Sequence, residues 1–140
     1  MTEKLVYTAK VTADGGRAGR VASDDGNLDV ALVVPKEFGG PGGAGTNPEQ
    51  LFAAGYSACF LSALKLTARL DKVSLPEDPK IDAEVGVLSG DNGYTLTATL
   101  NVSLPGLDRN VAEKLVAGAH QRCPYSRATR DNILVTLNVV

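Results

Sequence analysis

The apolar and polar positions at the start of the chain alternate with a period of two. Residues 4–13 show this alternation, which is typical of a half-buried strand. Turns rich in Gly and Asp follow at 14–16 and 24–27, and each is followed by a short run that also fits a strand. The N-terminal third is therefore predicted to be a β-meander with strands over 4–13, 17–23 and 28–34.

The next long run is apolar on almost every face. Residues 50–64 carry no charge, and Asn47 and Pro48 just before them favour the start of a helix. The uncharged run is shorter than the ~20 residues that span a bilayer. It predicts a long central helix within residues 46–72, buried on all sides by more than one sheet or by a second chain.

In the following segment the apolar positions first alternate as in strands and then recur at helical spacing. Residues 81–88 and 94–104 alternate on either side of a turn rich in Gly and Asp, which predicts a β-hairpin. Asp108 is suited to cap a second helix. The apolar stripe of that helix recurs at spacings of four, three and four and ends at Cys123, so this thiol is expected to point at the core.

The C-terminus completes the pattern with one more helix start and one more strand. Pro124 is suited to begin a short helix, and residues 132–140 fit a final strand. No repeat, low-complexity tract or linker interrupts the chain. The predicted fold class is α+β, in a single domain over residues 1–140.

Composition narrows the function classes. The net charge of −2 and the pI near 5.3 give no basic footprint, so no nucleic-acid partner is expected. The N-terminus lacks the continuous apolar run of a signal peptide, which makes a cytoplasmic location the expectation, with no membrane partner. Two cysteines in a cytoplasmic chain are more often free thiols, catalytic groups or metal ligands than a structural disulfide.

A glycine-rich loop over residues 35–45 precedes the central helix. Such a loop invites comparison with phosphate-binding loops, but the Lys-Ser/Thr ending of those loops is absent here. The interpretation that we prefer is a mobile flap that carries Phe38. Together with Phe52 and Phe60, Phe38 is predicted to form an apolar wall for the hydrocarbon part of a substrate.

The two thiols are the strongest candidates for chemistry. Cys59 lies in the middle of the central helix among small side chains, although a lone buried cysteine more often only packs. Cys123 ends an inward stripe and precedes Pro124, at a helix start where a thiolate is favoured. Two inward thiols within reach of each other suit redox chemistry, in which one attacks and the other resolves the product as a disulfide.

Three further polar residues have simpler interpretations beside their chemical ones. Arg17 follows a Gly-Gly turn that can aim it inward, but a solvated turn arginine fits the sequence better. Glu49 lies in a first helical turn, where a carboxylate complements the helix dipole. His120 adds a third candidate zinc ligand to Cys59 and Cys123, but no fourth soft ligand has suitable spacing, so no metal is expected.

Four segments resemble a known family. They are GGR at 15–17, GGAGTNPEQLFAAGYSACF at 42–60, LPGL at 104–107 and AHQRCPYSRATRDN at 119–132. These motifs are similar to those of the organic hydroperoxide resistance proteins, the peroxidase branch of the OsmC/Ohr family. The resemblance covers nearly the whole chain and implies an intertwined homodimer with sheets around a central pair of helices.

The same resemblance implies an activity and a role for each site residue. The expected reaction is the reduction of organic hydroperoxides by a thiol peroxidase that holds no cofactor and is recycled by an external dithiol, a lipoylated protein. Cys59 corresponds to the peroxidatic cysteine and Cys123 to the resolving one. Arg17 corresponds to the arginine that stabilises the thiolate, and Glu49 to its carboxylate partner. Arg127 and Asp131 depart from the Asn and Gly of the family pattern, which affects surface details such as docking of the reductant.

Two other function classes remain open at this point. A non-enzymatic protein that binds hydrophobic ligands would use the same apolar helix with inert thiols. A zinc protein would bind its metal through Cys59, His120 and Cys123. Alkylation rates of the two thiols and elemental analysis distinguish these classes from a peroxidase.

Overall fold

The computed structural model describes residues 2–140, whose elements form two compact units, Met1–Pro48 and Glu49–Val140. The α+β class is confirmed, whereas the single domain stays a prediction. The strands are β1 (Val11–Asp14), β2 (Arg20–Ser23), β3 (Asp29–Ala31), β4 (Lys80–Gly90), β5 (Gly93–Ser103) and β6 (Leu134–Val139). The helices are α1 (Pro48–Leu70), α2 (Arg109–Arg122) and α3 (Pro124–Thr129).

The first unit is the predicted β-meander, with a shorter first strand. β1, β2 and β3 form an antiparallel sheet in chain order, and Val11 pairs with Ser23. The strand predicted over 4–13 is therefore confirmed only from Val11, because β2 ends at Ser23 and the pairing closes with the hydrogen bond from the Asp24 amide to Lys10 O (3.1 Å). Residues 2–10 are exposed, including the apolar Leu5, Val6 and Tyr7.

The glycine-rich loop closes on itself by backbone hydrogen bonds within the first unit. The amide of Gly40 donates to Pro35 O (3.1 Å), and that of Gly42 donates to Val34 O (3.1 Å). A Cβ at Gly40 would lie 2.3 Å from Val34 O, so only glycine permits this close approach. The loop therefore has a defined path up to Gly42, and a single 3₁₀ turn, Lys36–Phe38, presents Phe38 at the surface.

The second unit contains a mixed three-stranded sheet. β4 and β5 form the predicted hairpin, in antiparallel register from Lys80 opposite Ser103 to Gly90 opposite Gly93. β6 joins β5 in parallel, with Thr97 opposite Leu134. Parallel pairing requires a crossover, and α2 and α3 supply it. Asp108 caps α2 as expected, since its carboxylate accepts hydrogen bonds from the amides of Asn110 and Val111.

The core of this unit is built from one face of α1, the inner face of β5 and the stripe of α2. Its completely buried large side chains are Tyr56, Phe60, Leu64, Leu100, Val102 and Leu115. The opposite face of α1 carries the small residues Ala54, Ala58 and Ser62, which are exposed in the single chain. Burial of α1 on all sides is thus confirmed for one face only.

α1 is also longer than its charge-free run, because it continues through Lys65 and Arg69 to Leu70. With 23 residues and a mean hydropathy of 1.4 in its most apolar window, it is the one helix within residues 2–140 that is long and apolar enough to cross a membrane. The core helix of a soluble protein meets the same criterion, so this property alone assigns no membrane role.

Gly118 on α2 allows close packing against Thr67 of α1. A Cβ at Gly118 would lie 2.7 Å from Thr67 Cγ2, and Thr67 is buried. Gly118→Ala is therefore expected to destabilise the protein by about 1–2 kcal/mol, because overpacking outweighs the gain in helix propensity of about 1 kcal/mol. Urea unfolding at one fixed protein concentration measures this loss. In a Thr67→Ser background, which removes the clashing methyl, the loss should shrink to about 0.5 kcal/mol or less, and an equal loss in both backgrounds would contradict the packing argument.

Candidate active site

The two cysteines lie in contact within the second unit. Cys59 is on the middle of α1 and is half-buried, whereas Cys123 is completely buried at the junction of α2 and α3, and both are free thiols. Cys59 packs against the core cluster that contains Cys123, close enough for Cys123 to shift the pKa of Cys59. The proximity expected from the apolar stripe is thus found, and it comes with an asymmetry in exposure between the two sulfur atoms.

The sequence around Cys123 explains why the chain turns at this thiol. The amide of Cys123 donates to Ala119 O (2.8 Å) and so completes the last turn of α2. Cys123 then takes extended dihedral angles (φ −64°, ψ 123°), which the following Pro124 favours. Its carbonyl accepts from the amide of Arg127 (3.0 Å) and begins α3. One residue therefore ends α2 and caps α3, which fixes its side chain against α1.

The electrostatic setting of Cys59 favours the neutral thiol. Burial raises its pKa most strongly, and the neighbouring thiol of Cys123 raises it further. The backbone N–H of Tyr125, in the first turn of α3, lowers the pKa by a smaller amount. The net result is a raised pKa. A reactive thiolate therefore needs a further positive group.

Arg17 lies in the first unit, in the 3₁₀ turn Gly16–Ala18. Gly15 and Gly16 have φ of 74° and 60°, so the turn needs the conformational freedom of glycine. The guanidinium carbon lies 5.1 Å from the centre of the Phe38 ring, which is a cation–π contact. Two of the residues singled out in the sequence are thus in contact, and the role of Arg17 at the thiolate stays a prediction.

Glu49 lies in the first turn of α1, ten residues before Cys59 on the same unbroken helix. At 1.5 Å per residue the two positions are about 15 Å apart along the axis. A glutamate side chain does not close that distance. One chain therefore does not bring Glu49 and Cys59 together.

The aromatic residues fall into different settings. Phe52 is half-buried and packs on Tyr56 and Tyr125, with ring centres 6.0 and 6.1 Å away. Phe60 is completely buried in the core, and Phe38 belongs to the first unit. Within the second unit, Phe52 is thus the accessible member of the predicted apolar wall, which itself stays a prediction.

Sequence reasoning missed a buried cluster of hydroxyl groups beside the cysteines. Tyr56 Oη lies 2.8 Å from Ser126 Oγ and 3.3 Å from Thr129 Oγ1, and His120 Nδ1 lies 2.9 Å from Ser126 Oγ. One feature of the sequence could have pointed to this cluster. Tyr56 and His120 each precede a cysteine by three residues, about one helical turn, which places them beside the thiols. His120 was weighed only as a metal ligand.

The structure gives the zinc alternative no support. Within residues 2–140, no three side chains of His, Cys, Asp or Glu lie close enough together to hold a metal ion. His120 instead uses Nδ1 for the hydrogen bond to Ser126.

A groove of about 360 Å³ lies elsewhere in the second unit, between α2 and β6. Its lining includes the exposed ion pair of Arg109 and Glu113 and apolar side chains such as Val116 and Leu137. None of the predicted site residues contributes to it.

Comparison with known proteins gives consistent matches. The family model described as OsmC-like protein matches residues 40–138. The chain is 52% identical, over 98% of its length and 96% of the relative's length, to the organic hydroperoxide resistance protein of Xanthomonas axonopodis pv. citri (strain 306).

Solved structures agree with the sequence matches. An organic hydroperoxide resistance protein from Legionella pneumophila superimposes with a TM-score of 0.91 at 49% identity, covering 97% of this chain and 98% of the other. One from Elizabethkingia anophelis gives a TM-score of 0.92 at 45% identity, covering 98% of each chain. The whole chain thus shares both sequence and fold with these proteins.

Proposed function

Because the chain belongs to the OsmC-like protein family, we propose that it is a thiol-dependent peroxidase that reduces organic hydroperoxides to alcohols. Relatives named for organic hydroperoxide resistance support a peroxide-related role in general. The observation that carries the finer proposal is the pairing of a half-buried free thiol, Cys59, with a completely buried one, Cys123, in the same packed core.

The proposed reaction uses the two sulfur atoms in sequence. The Cys59 thiolate attacks one oxygen of the O–O bond, the bond breaks, and the departing alkoxide takes up a proton to leave as the alcohol. Cys59 is then a sulfenic acid. Cys123 attacks its sulfur and a disulfide forms, while the hydroxyl group leaves with the Cys123 proton as water. An external dithiol finally reduces the disulfide by two electrons.

The exposure of the two thiols supports this order. A peroxide can approach the half-buried Cys59, whereas Cys123 has no surface contact with solvent. The backbone N–H of Tyr125 also lowers the pKa of Cys59 and so favours its charged form. Cys59 is therefore the attacking residue in the proposal, and Cys123 the resolving one.

The raised pKa of Cys59 explains why the proposal includes Arg17. Lowering a pKa by one unit requires about 1.4 kcal/mol of preferential interaction with the charged form. A guanidinium held at the thiolate supplies such an interaction, and the same group can stabilise the leaving alkoxide. Glu49 is proposed to hold Arg17 in place and to offset the cost of burying its charge.

The position of Glu49 supports a homodimer as part of the proposal. Glu49 and Cys59 are too far apart on one α1, but two antiparallel copies that cross near Ala54 would bring Glu49 of one level with Cys59 of the other. Ala54 and Ala58 are exposed and small, which suits a close helix crossing. The homodimer is thus proposed to hold two composite sites.

The reductant, the cellular location and the cofactor requirement are proposed from the resemblance to the family. The reductant is proposed to be the dithiol of a lipoylated protein, the location is proposed to be the cytoplasm, and the protein itself is proposed to need no bound cofactor. Phe52 next to the Cys59 helix face supports a preference for peroxides with a hydrocarbon part.

We expect cumene and tert-butyl hydroperoxide to react at least ten times faster than hydrogen peroxide, because burial of one large apolar group contributes about 1.5–3 kcal/mol. Stopped-flow measurement of the second-order rate constants tests this, with dihydrolipoamide or thioredoxin as the reductant for turnover. Equal constants for all three peroxides would show that no apolar wall selects the substrate. Inert thiols with no turnover would favour the hydrophobic-ligand-binding alternative.

A further inference from the structure

Four polar side chains join α1, α2 and α3 behind the two cysteines. We refer to His120, Ser126, Tyr56 and Thr129 as the hydroxyl chain. Tyr56 and Ser126 are completely buried, and Thr129 is 6% exposed. The link distances are 2.9 Å from His120 Nδ1 to Ser126 Oγ, 2.8 Å from Ser126 Oγ to Tyr56 Oη, and 3.3 Å from Tyr56 Oη to Thr129 Oγ1. Within residues 2–140, no buried side-chain N or O atom lacks a hydrogen-bond partner.

The last link sets the direction of all the others. Thr129 Oγ1 lies 3.0 Å from Tyr125 O and 3.2 Å from Ser126 O, and both of these atoms are carbonyl oxygens that only accept. With its proton donated to one of these carbonyls, the Thr129 hydroxyl can only accept from Tyr56. Tyr56 in turn donates to Thr129 and accepts from Ser126. Ser126 then has no proton left for His120 and accepts from Nδ1–H.

We infer that the hydroxyl chain runs in one direction, from His120 through Ser126 and Tyr56 to Thr129 and the Tyr125 carbonyl, and that it positions α3 for disulfide chemistry at Cys59. The chain fixes neutral His120 as the Nδ1–H tautomer. It also holds the turn that carries both Cys123 and the Tyr125 N–H against α1. The effect of this positioning on turnover rests on the proposed function. The expected tautomer and the expected disulfide equilibrium are independent of it.

The need for such a device follows from the length of α3. A helix of six residues is not stable by itself, so its position depends on its tertiary contacts. Tyr56 Oη on α1 binds Ser126 and Thr129 of α3, and His120 on α2 binds the same Ser126. Cys123 caps this helix, and Tyr125 lies in its first turn. Loss of one link should therefore allow Cys123 and the Tyr125 amide to move relative to Cys59.

The tautomer is the first test, and the chain has a single histidine to observe. Burial and the nearby Arg130 charge lower the pKa of His120, so the neutral ring is accessible at moderate pH. With ¹⁵N-labelled histidine, long-range ¹H–¹⁵N correlation spectra above this titration should show a protonated Nδ1 in the wild-type protein. In Tyr56→Phe, Ser126 regains a free proton, and the pure Nδ1–H pattern should be lost. A wild-type ring protonated at Nε2 would overturn the direction of the chain.

The second test measures positioning through the equilibrium between the Cys59–Cys123 disulfide and dithiothreitol. In this exchange the two protein thiols lose two electrons and two protons, and the probe disulfide gains them. Tyr56→Phe and Thr129→Val remove links without changing the side-chain outline much. Each should make the disulfide about fivefold less favoured, because loss of a hydrogen bond worth about 1 kcal/mol loosens α3 and lowers the effective concentration of Cys123 at Cys59. Thr129→Ser keeps the hydroxyl and should stay within about twofold of the wild type, which serves as the matched control.

The outcomes separate positioning from general stability and from the proposed function. Circular dichroism confirms that each variant is folded before the equilibrium is measured, and Tyr56→Phe and Thr129→Val provide two independent breaks. Equilibrium constants within twofold of the wild type for both breaks would overturn the positioning role. If the wild type shows the expected tautomer and both variants show the fivefold shifts, but the wild type reduces no hydroperoxide, the proposed function is wrong and the inference stands.

Discussion

Replacing Cys59 with serine is expected to abolish hydroperoxide turnover, whereas Cys123→Ser should react once per chain and stop. The reason is the asymmetry of the pair, since the half-buried Cys59 can meet a peroxide and the completely buried Cys123 can only meet Cys59. Without Cys123 no disulfide forms, and the sulfenic acid at Cys59 persists. A sulfenic-acid-specific trapping reagent with mass spectrometry should label Cys123→Ser at Cys59 and leave Cys59→Ser unlabelled.

The matched control for these two variants is Ser89→Ala, at the exposed end of β4. This change removes a hydroxyl group without touching either thiol and should retain turnover. Sustained turnover by Cys59→Ser would reverse or remove the assignment of the attacking residue. Trapped sulfenic acid on Cys123 instead of Cys59 would do the same.

Mixing two inactive variants is expected to restore activity if the composite dimer site is correct. Glu49→Ala and Cys59→Ser should each be impaired alone, because each site of either homodimer lacks one of the two residues. A heterodimer has one site with both wild-type residues and one with neither. Random mixing gives half heterodimers, so about one quarter of all sites should be intact. Refolding equimolar variants together and measuring turnover tests this expectation.

Glu113→Ala is the matched control for the loss of a carboxylate. Glu113 pairs with Arg109 on an exposed surface, where an ion pair contributes little, so this variant should be active alone. Proven heterodimers with no recovered turnover would mean that Glu49 acts within its own chain or has no role in the reaction.

Much of the fold was accessible from periodicity. Pro48 and Asp108 marked helix starts that the structure confirms, and the hairpin of β4 and β5 agrees with the alternation of its two halves. Residues 4–10 show why alternation alone is insufficient. A strand needs a neighbouring backbone to pair with, and the local alternation of residues does not show whether the same chain supplies that neighbour.

The candidate site was accessible in part. The spacing of Ala112, Val116, Ala119 and Cys123 predicted an inward thiol, and the structure places it on Cys59. The hydroxyl chain was not predicted, because two of its links join Tyr56 to residues 70 and 73 positions away, and the third joins His120 of α2 to Ser126 of α3, so that no helical or strand period relates them. Phe60 and Phe52 have the same residue type but different exposure, which depends on the core that surrounds each ring.

The order of elements along the chain has a consequence for synthesis on the ribosome. The buried face of α1 packs with side chains of β5 and α2, and all of these are translated after α1. At 5–20 residues per second, the stretch from Leu70 to Arg122 takes roughly 3–10 s to make. During that interval the most apolar helix of the protein has emerged without its core partners. Its apolar face is then available to chaperones and to aggregation, so the yield in a cell should depend on translation speed and chaperone supply as well as on the stability of the finished fold.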